Sequence, residues 1–248
     1  MARLDIVIPV YNEGENITRL LDSFHAAVHT PCRVLICYDR DDDSTLPAIN
    51  EYAKRDAFDI VFVKNRSKGP HGAVMTGLEE STAPFALVYM ADDTFNAPRI
   101  DGMVEKAEQG YDIVVASRFV PGGCMVGAPW LKGFLVRGAS FSLHYLARLP
   151  VHDPSNGLRL FSRRVIDEIA VESESGFTYS IELLVKCHRL GWPIGEVPIE
   201  WYERMAGQSR FRVMKWLPKY LRWYFYAFAT TWLGARSVTL KQPRTAKV

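Results

Sequence analysis

The sequence predicts one α/β domain, a mostly parallel sheet with helices on both faces. Three observations predict it. Short β-branched runs ("LDIVIPV", "RVLICYD", "DIVFVKN", "PFALVYMAD", "DIVVASR") alternate with amphipathic stretches such as "NITRLLDSFHAAV", which is the βαβ order of a parallel sheet. Polar clusters follow the runs, and ligands of such sheets sit beyond the carboxyl ends of the strands. A chain of 248 residues with 48% hydrophobic side chains can bury a substantial core.

The first run is reached within a few residues of the N-terminus. This leaves no room for a signal peptide and predicts a cytoplasmic start. Pro9 ends the strand, and Tyr11, Asn12 and Glu13 offer an aromatic face, an amide and a carboxylate. Together they suit a nucleobase and ribose; singly, each is a turn residue. Asp39 ends the second run, and Asp41, Asp42 and Asp43 follow, the last placed to cap a helix beginning near Leu46. After the third run, "NRSKGPHGAVMTG" is neither a Walker A loop nor G-x-G-x-x-G. Gly69 and Gly72 there suit close backbone approach to an anion at a helix start, or an ordinary turn. His71 is expected at the surface.

The fourth run ends in "MADDTFNAP". Asp93 can cap the next helix or close an Asx-turn; alternatively, Asp92 and Asp93 together suit a hard divalent cation. Arg118 ends the fifth run. Beyond Val120 the texture changes to "PGGCMVGAPW", a helix over 131–147, the loop "PVHDPSNG" and a strand "LRLFS", expected as a second lobe closing over the rim. Arg118, Arg137 and Arg204 carry the planar donor fork that suits phosphate. "MKWLPKYLRWYFYAFATTWLG" sets Lys215, Lys219 and Arg222 among aromatics at helical spacing, with an uncharged part too short to span a bilayer. It fits either a helix lying in a membrane interface or one packed on the core. The tail 235–248 is basic and expected to be mobile.

Lys and Arg number 30 against 28 Asp and Glu, a balance that argues against a nucleic-acid partner. The four cysteines form no Cys-x-x-Cys pair, which suggests neither a zinc knuckle nor a disulfide framework and fits a reducing cytosol.

Taken in order, "IVIPVYNEGENI", "MADD", "ASRFVPGG", "DPSNGLRLF", "GFTYSIELLVKC" and "EVPIEWYERMAGQSRF" resemble the family 2 inverting glycosyltransferases, most closely those that use polyprenyl phosphate, over residues 4–224. The resemblance implies a GT-A fold with a Rossmann-like sheet, filling 1–234: a nucleotide-sugar half (1–119), an acceptor half (120–212) and an amphipathic C-terminal helix (213–234). It implies a nucleotide-sugar donor held by Pro9, Tyr11, Asn12, Glu13, Asp39 and Gly69; Asp39 can accept from either a uracil or a guanine N–H, and uridine is slightly favoured. It further implies Mg2+ or Mn2+ at Asp92 and Asp93, and an acceptor phosphate held by Arg118, Arg137, Arg204 and Ser209. A polyprenyl phosphate acceptor implies peripheral binding at the cytoplasmic face of a membrane; a homo-oligomer is compatible with the sequence. Asp153 is the base candidate, or else it orients an arginine or the sugar hydroxyls. Family members often read Asp-Ala-Asp-x-Gln where this chain has Met90 and Thr94 at the outer positions. That departure keeps a rival in view, a non-catalytic subunit that binds nucleotide or membrane. A nicotinamide-dependent oxidoreductase would need a glycine fingerprint where "PVYNEGEN" stands.

Overall fold

The computed structural model of the protein describes residues 2–53, 58–203, 213–234 and 238–241. In chain order the first half runs β1 (Leu4–Pro9), α1 (Gly14–Ala27), β2 (Cys32–Tyr38), α2 (Thr45–Ala53), β3 (Asp59–Lys64), α3 (Gly69–Glu80) and β4 (Phe85–Val88). A 3-10 turn (Ala97–Arg99) then leads into α4 (Ile100–Glu108) and β5 (Ile113–Ser117). The second half adds β6 (Cys124–Val126), α5 (Trp130–Phe141), β7 (Arg159–Ser162), α6 (Arg163–Glu168), α7 (Thr178–Arg189), β8 (Ile194–Pro198), β9 (Glu200–Tyr202) and α8 (Val213–Trp232). A π-helical turn (Ser142–Leu146) extends α5, closed by Ala147 N–H donating to Ser142 O at 2.9 Å. The helix expected over 131–147 is therefore present, with its last turn widened.

Seven strands form one sheet in the order β3-β2-β1-β4-β7-β5-β8, in which only β7 is antiparallel to its neighbours. β6 and β9 make a separate parallel pair. The alternation of side chains along each strand divides the core. On β1 and β2, Leu4, Ile6, Ile8, Val34 and Ile36 face the layer of α1, α2 and α4, packing with Leu20, Phe24, Ile49 and Met103. Val7, Leu35 and Cys37 face the opposite layer with Val74, Leu184, Trp223 and Ala227 of α3, α7 and α8. Gly77 lets α3 lie close on the sheet: a Cβ there would stand 2.4 Å from Val7 Cγ1 and 2.6 Å from Cys37 Sγ.

The structure bears on three expectations. The described part of the second half is not set apart from the first. Its strand β7 is inserted between β4 and β5, so both halves share one sheet. The inner face of α8 belongs to the core, with Trp223, Ala227 and Thr230 buried. Within the tail, Thr239 O accepts from Ala170 N and Lys241 N donates to Glu168 O, at 3.0 and 2.8 Å, tying that segment to the end of α6. Among the described residues no helix is long and apolar enough to cross a membrane.

At the end of β1 away from the rim, the buried Asp5 fastens three segments together. Its carboxylate accepts from Arg33 Nε and Nη2 (both 2.8 Å), Ser81 Oγ (2.9 Å), Thr82 N (2.7 Å) and Ala83 N (2.9 Å). Burial pushes its pKa up, but the Arg33 guanidinium and the donors of Ala83, Thr82 and Ser81 outweigh burial and hold it below the ordinary value. A carboxyl depressed in the folded state stabilises fully above its unfolded pKa of about 3.9 and loses that contribution as pH falls through the folded value. Asp5→Asn should therefore lower stability at pH 7 by about 3–5 kcal/mol, the usual cost of breaking a buried ion pair. Denaturant melts should show the gap to wild type narrowing below about pH 4.

Candidate functional site

The rim is built by loops that bind one another through side-chain carboxylates. Asn12, just past β1, sits in the left-handed region at φ 55°, which Asn tolerates better than most residues. Its N–H donates to both oxygens of Asp43 (3.1 and 3.0 Å), its Oδ1 accepts from Ser44 N (3.2 Å), and Glu13 N donates to Thr45 Oγ1 (2.9 Å). Asp43 also accepts from Thr45 N at 2.8 Å and so caps α2, as expected. Glu13 Oε2 accepts from Asn16 Nδ2 at 2.6 Å, inside the first turn of α1. The β1 and β2 loops are thus latched together, with Pro9 at the base and Tyr11 half exposed at the lip.

Asp39 directly follows β2 and joins the next loop. Its Oδ1 accepts from Asn65 Nδ2 (2.5 Å) and its Oδ2 from Gly69 N (2.8 Å). The α3 N-terminus, whose dipole favours negative charge, is thereby matched by a carboxylate of the chain itself. Gly69 has φ 77°, and a Cβ at Gly72 would lie 1.8 Å from Ser67 Oγ and 2.8 Å from Asn65 Oδ1. The glycines serve this turn. His71 is not at the surface. It is 6% exposed, its Nε2 donates to Ser173 O at 2.7 Å, and burial lowers its pKa. Ser173 is held in turn by buried Glu182, which accepts from Ser173 N (2.8 Å) and Lys186 Nζ (2.7 Å).

At the end of β4, Asp93 is a turn residue. Oδ1 accepts from Phe95 N (3.1 Å), Asn96 N (3.1 Å) and Asn96 Nδ2 (3.0 Å), and Oδ2 from Asn96 Nδ2 at 2.8 Å. Burial raises its pKa despite the Asn96 and Phe95 donors, with a smaller contribution from the Asp92 charge. The Asx-turn alternative read from the sequence is therefore present, and Oδ2 carries one hydrogen bond against three at Oδ1. Buried Asn96 spans from this turn to β9, donating to Glu200 O (2.8 Å) and accepting from Glu200 N (3.0 Å). Asp92, half-buried, precedes the turn. Among the described residues no three His, Cys, Asp or Glu side chains gather as a metal cage.

Across β7 stands the phosphate-binding candidate. Asp153 is fully buried and accepts from Arg118 N (3.0 Å), Nε (2.6 Å) and Nη2 (2.8 Å), while Arg118 Nη2 also donates to Ser155 Oγ at 2.8 Å. Both oxygens of Asp153 are bound to the Arg118 guanidinium, a geometry that suits orienting the arginine, one of the roles the sequence left open. Its own loop is held twice more. Glu196 Oε1 accepts from His152 N (2.7 Å) and Asp153 N (3.2 Å). Arg159, wholly buried in β7, donates to Pro154 O (3.2 Å), Asn156 O (3.0 Å) and Ser180 O. Burial lowers the Arg159 pKa to about 10, against the raising effects of Tyr179, Asp153 and Glu196. Arg137, exposed on α5, lies with its Cζ 5.1 Å from the Phe119 ring centroid, and Arg118 Cζ lies 5.2 Å from the same centroid. Arg204 and Ser209 lie outside the described residues.

Asn65, Asn96, Ser155 and Arg159 were not singled out from the sequence. The two asparagines stand in strand-end loops and Arg159 interrupts an apolar strand, the signals that mark them.

Beside Arg137 the surface is apolar. Of α5 only Ser140 is buried, while Trp130, Leu131, Phe134, Leu135 and Phe141 are exposed, Trp130 by 81%. Trp232 Nε1 donates to Leu146 O at 2.9 Å, which brings exposed Trp232 at the end of α8 beside Tyr145 and Leu146, also exposed.

The profile described as glycosyl transferase family 2 matches residues 5–170. The chain is 29% identical over 230 residues to polyprenol monophosphomannose synthase of Mycolicibacterium smegmatis, covering 85% of each chain. It is 29% identical over 245 residues to undecaprenyl-phosphate mannosyltransferase of Micrococcus luteus, covering 95% of this chain and 98% of that one. Its fold is similar to glucosyl-3-phosphoglycerate synthase from Mycobacterium tuberculosis, solved with Mn2+, uridine diphosphate and glucosyl-3-phosphoglycerate (TM-score 0.63, 17% identity, 93% of this chain and 80% of that one). It is similar also to mannosyl-3-phosphoglycerate synthase from Rubrobacter xylanophilus (TM-score 0.67, 16% identity, 98% and 78%). With a parallel sheet, a carboxylate at the end of β4 and a matching profile over most of its length, the chain belongs to glycosyl transferase family 2 and is a glycosyltransferase of the GT-A fold.

Proposed function

We propose that the protein transfers a hexose from a nucleotide sugar to a polyprenyl phosphate at a membrane surface, with inversion at the anomeric carbon. The observation that carries this is the buried Asp153–Arg118 pair, which presents a fixed guanidinium at the end of β5. Asp92 follows β4, two strand spacings away across β7, about 9.6 Å between strand axes. That gap suits a sugar between a leaving diphosphate on the Asp92 side and an incoming phosphate on the Arg118 side. The names of the two curated relatives make mannose the first sugar to test.

A hard divalent ion fits Asp92, whose donors are carboxylate oxygens. Without a protein cage among the described residues, donor diphosphate and water would complete its ligands. When bound, Mg2+ or Mn2+ would supply positive charge to the departing diphosphate. The chain's own residues do the rest. Asp39, Tyr11 and the latched Asn12 and Glu13 shape the nucleoside side, while Arg118 and Arg137 hold the acceptor phosphate. An acceptor phosphate oxygen forms the new bond to the anomeric carbon as the bond to the diphosphate oxygen breaks. A phosphate monoester has a second pKa of about 6 and is mostly dianionic at neutral pH, so no general base is needed. This agrees with the locked state of Asp153.

Docking falls to α5 and the end of α8 rather than to the whole of α8. The inner face of α8 is core, whereas the exposed aromatic and leucine side chains of α5 flank Arg137 and suit a bilayer interface. A headgroup-level acceptor would then meet the arginines where the chain meets the membrane.

The deciding assay incubates the protein with GDP-mannose or UDP-glucose, Mg2+ or Mn2+, and undecaprenyl phosphate or 3-phosphoglycerate. Release of nucleoside diphosphate that depends on the lipid phosphate is expected. Transfer to 3-phosphoglycerate alone overturns the lipid-phosphate acceptor, and no turnover with any pair overturns the reading and leaves the non-catalytic subunit. Asp92→Asn should lower kcat by about 10²–10³ with an unchanged melting curve, the cost of losing one charge-stabilising group; near-normal turnover at saturating metal would remove Asp92 from the site. Trp130→Ser with Phe134→Ser should leave the fold intact and lower binding to anionic vesicles at least tenfold, since burying one such side chain contributes about 1.5–3 kcal/mol. Cosedimentation equal to wild type would move the docking face elsewhere.

A further inference from the structure

We propose that Phe119 is a positioning residue of the acceptor site, holding the Arg137 guanidinium in place without cancelling its charge. This rests on the reading of Arg118 and Arg137 as the ligands of an acceptor phosphate. The two arginines are held by different means. Arg118 is fixed by the carboxylate of Asp153, so the pair carries no net charge. Arg137 has no carboxylate within ion-pair distance among the described residues, and it is the guanidinium that brings net positive charge to an incoming dianion. It is also an exposed side chain on α5, with rotamer entropy to lose when it binds.

A carboxylate beside Arg137 would order it and neutralise it at once. An aromatic face orders a cation while leaving its charge available, because the attraction comes from the ring quadrupole rather than from a counter-charge. Phe119 is placed for this. It follows Arg118 directly at the end of β5, is half-buried, and has the two guanidinium carbons 5.2 and 5.1 Å from its ring centroid. One ring therefore spaces the charge-compensated arginine of the sheet from the uncompensated arginine of the exposed helix.

The test uses a short-chain, water-soluble isoprenyl phosphate, so that vesicle docking plays no part. Binding is measured by calorimetry with nucleoside diphosphate present, and acceptor KM, donor KM and kcat by steady-state kinetics. Phe119→Leu keeps apolar volume and removes the ring quadrupole. It should weaken acceptor binding and raise acceptor KM about two- to fivefold, leaving donor KM unchanged, as expected for an exposed cation–π contact. Phe119→Tyr should restore wild-type values. Phe119→Glu should be worse than Phe119→Leu, because it orders Arg137 and cancels its charge. Equal acceptor affinity in wild type and Phe119→Leu, failure of Tyr to restore it, or a donor KM that moves in step overturns the proposal. Arg137→Gln separates the two layers. If it weakens acceptor binding while Phe119→Leu does not, only the role of Phe119 falls. If neither weakens it, or wild type binds no isoprenyl phosphate, the acceptor site itself is wrong and the proposal falls with it.

Discussion

The placement of β7 is the constraint on which the rest depends. It runs antiparallel between β4 and β5 and pairs with both, Val88 and Val115 each lying opposite Arg159. One strand therefore sets the separation between the β4 loop that bears Asp92 and the β5 end that bears Arg118. It also delivers the 152–157 loop to the same rim from the opposite direction, with Arg159 tying that loop down from beneath. A fully buried arginine is costly unless its donors are satisfied. Here three backbone carbonyls accept from Nη1 and Nη2, while the buried Nε has no partner, and the loop that positions Asp153 is fixed as a result.

The acidic residues of the rim divide by use. Asp43 joins the first two loops, Asp39 joins the second and third, Asp93 closes its own turn, and Asp153 anchors an arginine. The common cause is that chains leaving a parallel sheet carry backbone N–H groups without ladder partners, and short carboxylates satisfy them. A carboxylate-rich rim is thus a structural necessity before it is a cation site. The chemistry proposed at Asp92 depends on a scaffold made by its neighbours.

The same division applies to the helices. α8 reads as amphipathic, yet its apolar side is used by the core. α5, whose apolar residues do not stand out from those of a core helix, buries a single residue and exposes Trp130, Leu131, Phe134, Leu135 and Phe141. Arg137 lies among them, so the charge proposed to meet the acceptor and the exposed apolar side chains share one helix.

The sequence by itself determined the layered α/β architecture, the positions of β1 to β5, and the gathering of loops at one rim. Strand-end polarity and strand periodicity are properties of contiguous residues and survive without knowledge of the rest. It also marked Asp92, Arg118 and Asp153 as the residues to examine. Only the tertiary structure decided that β7 enters the centre of the sheet, that Asp93 closes a turn, that His71 is buried, and that Asp153 pairs with Arg118. Each of these depends on a partner far away in the chain: Asp153 lies 35 residues from Arg118, Asn96 lies 104 from Glu200, and His71 lies 102 from Ser173. A side chain's hydrogen-bonding capacity is encoded locally, but which group meets it is fixed when the sheet closes.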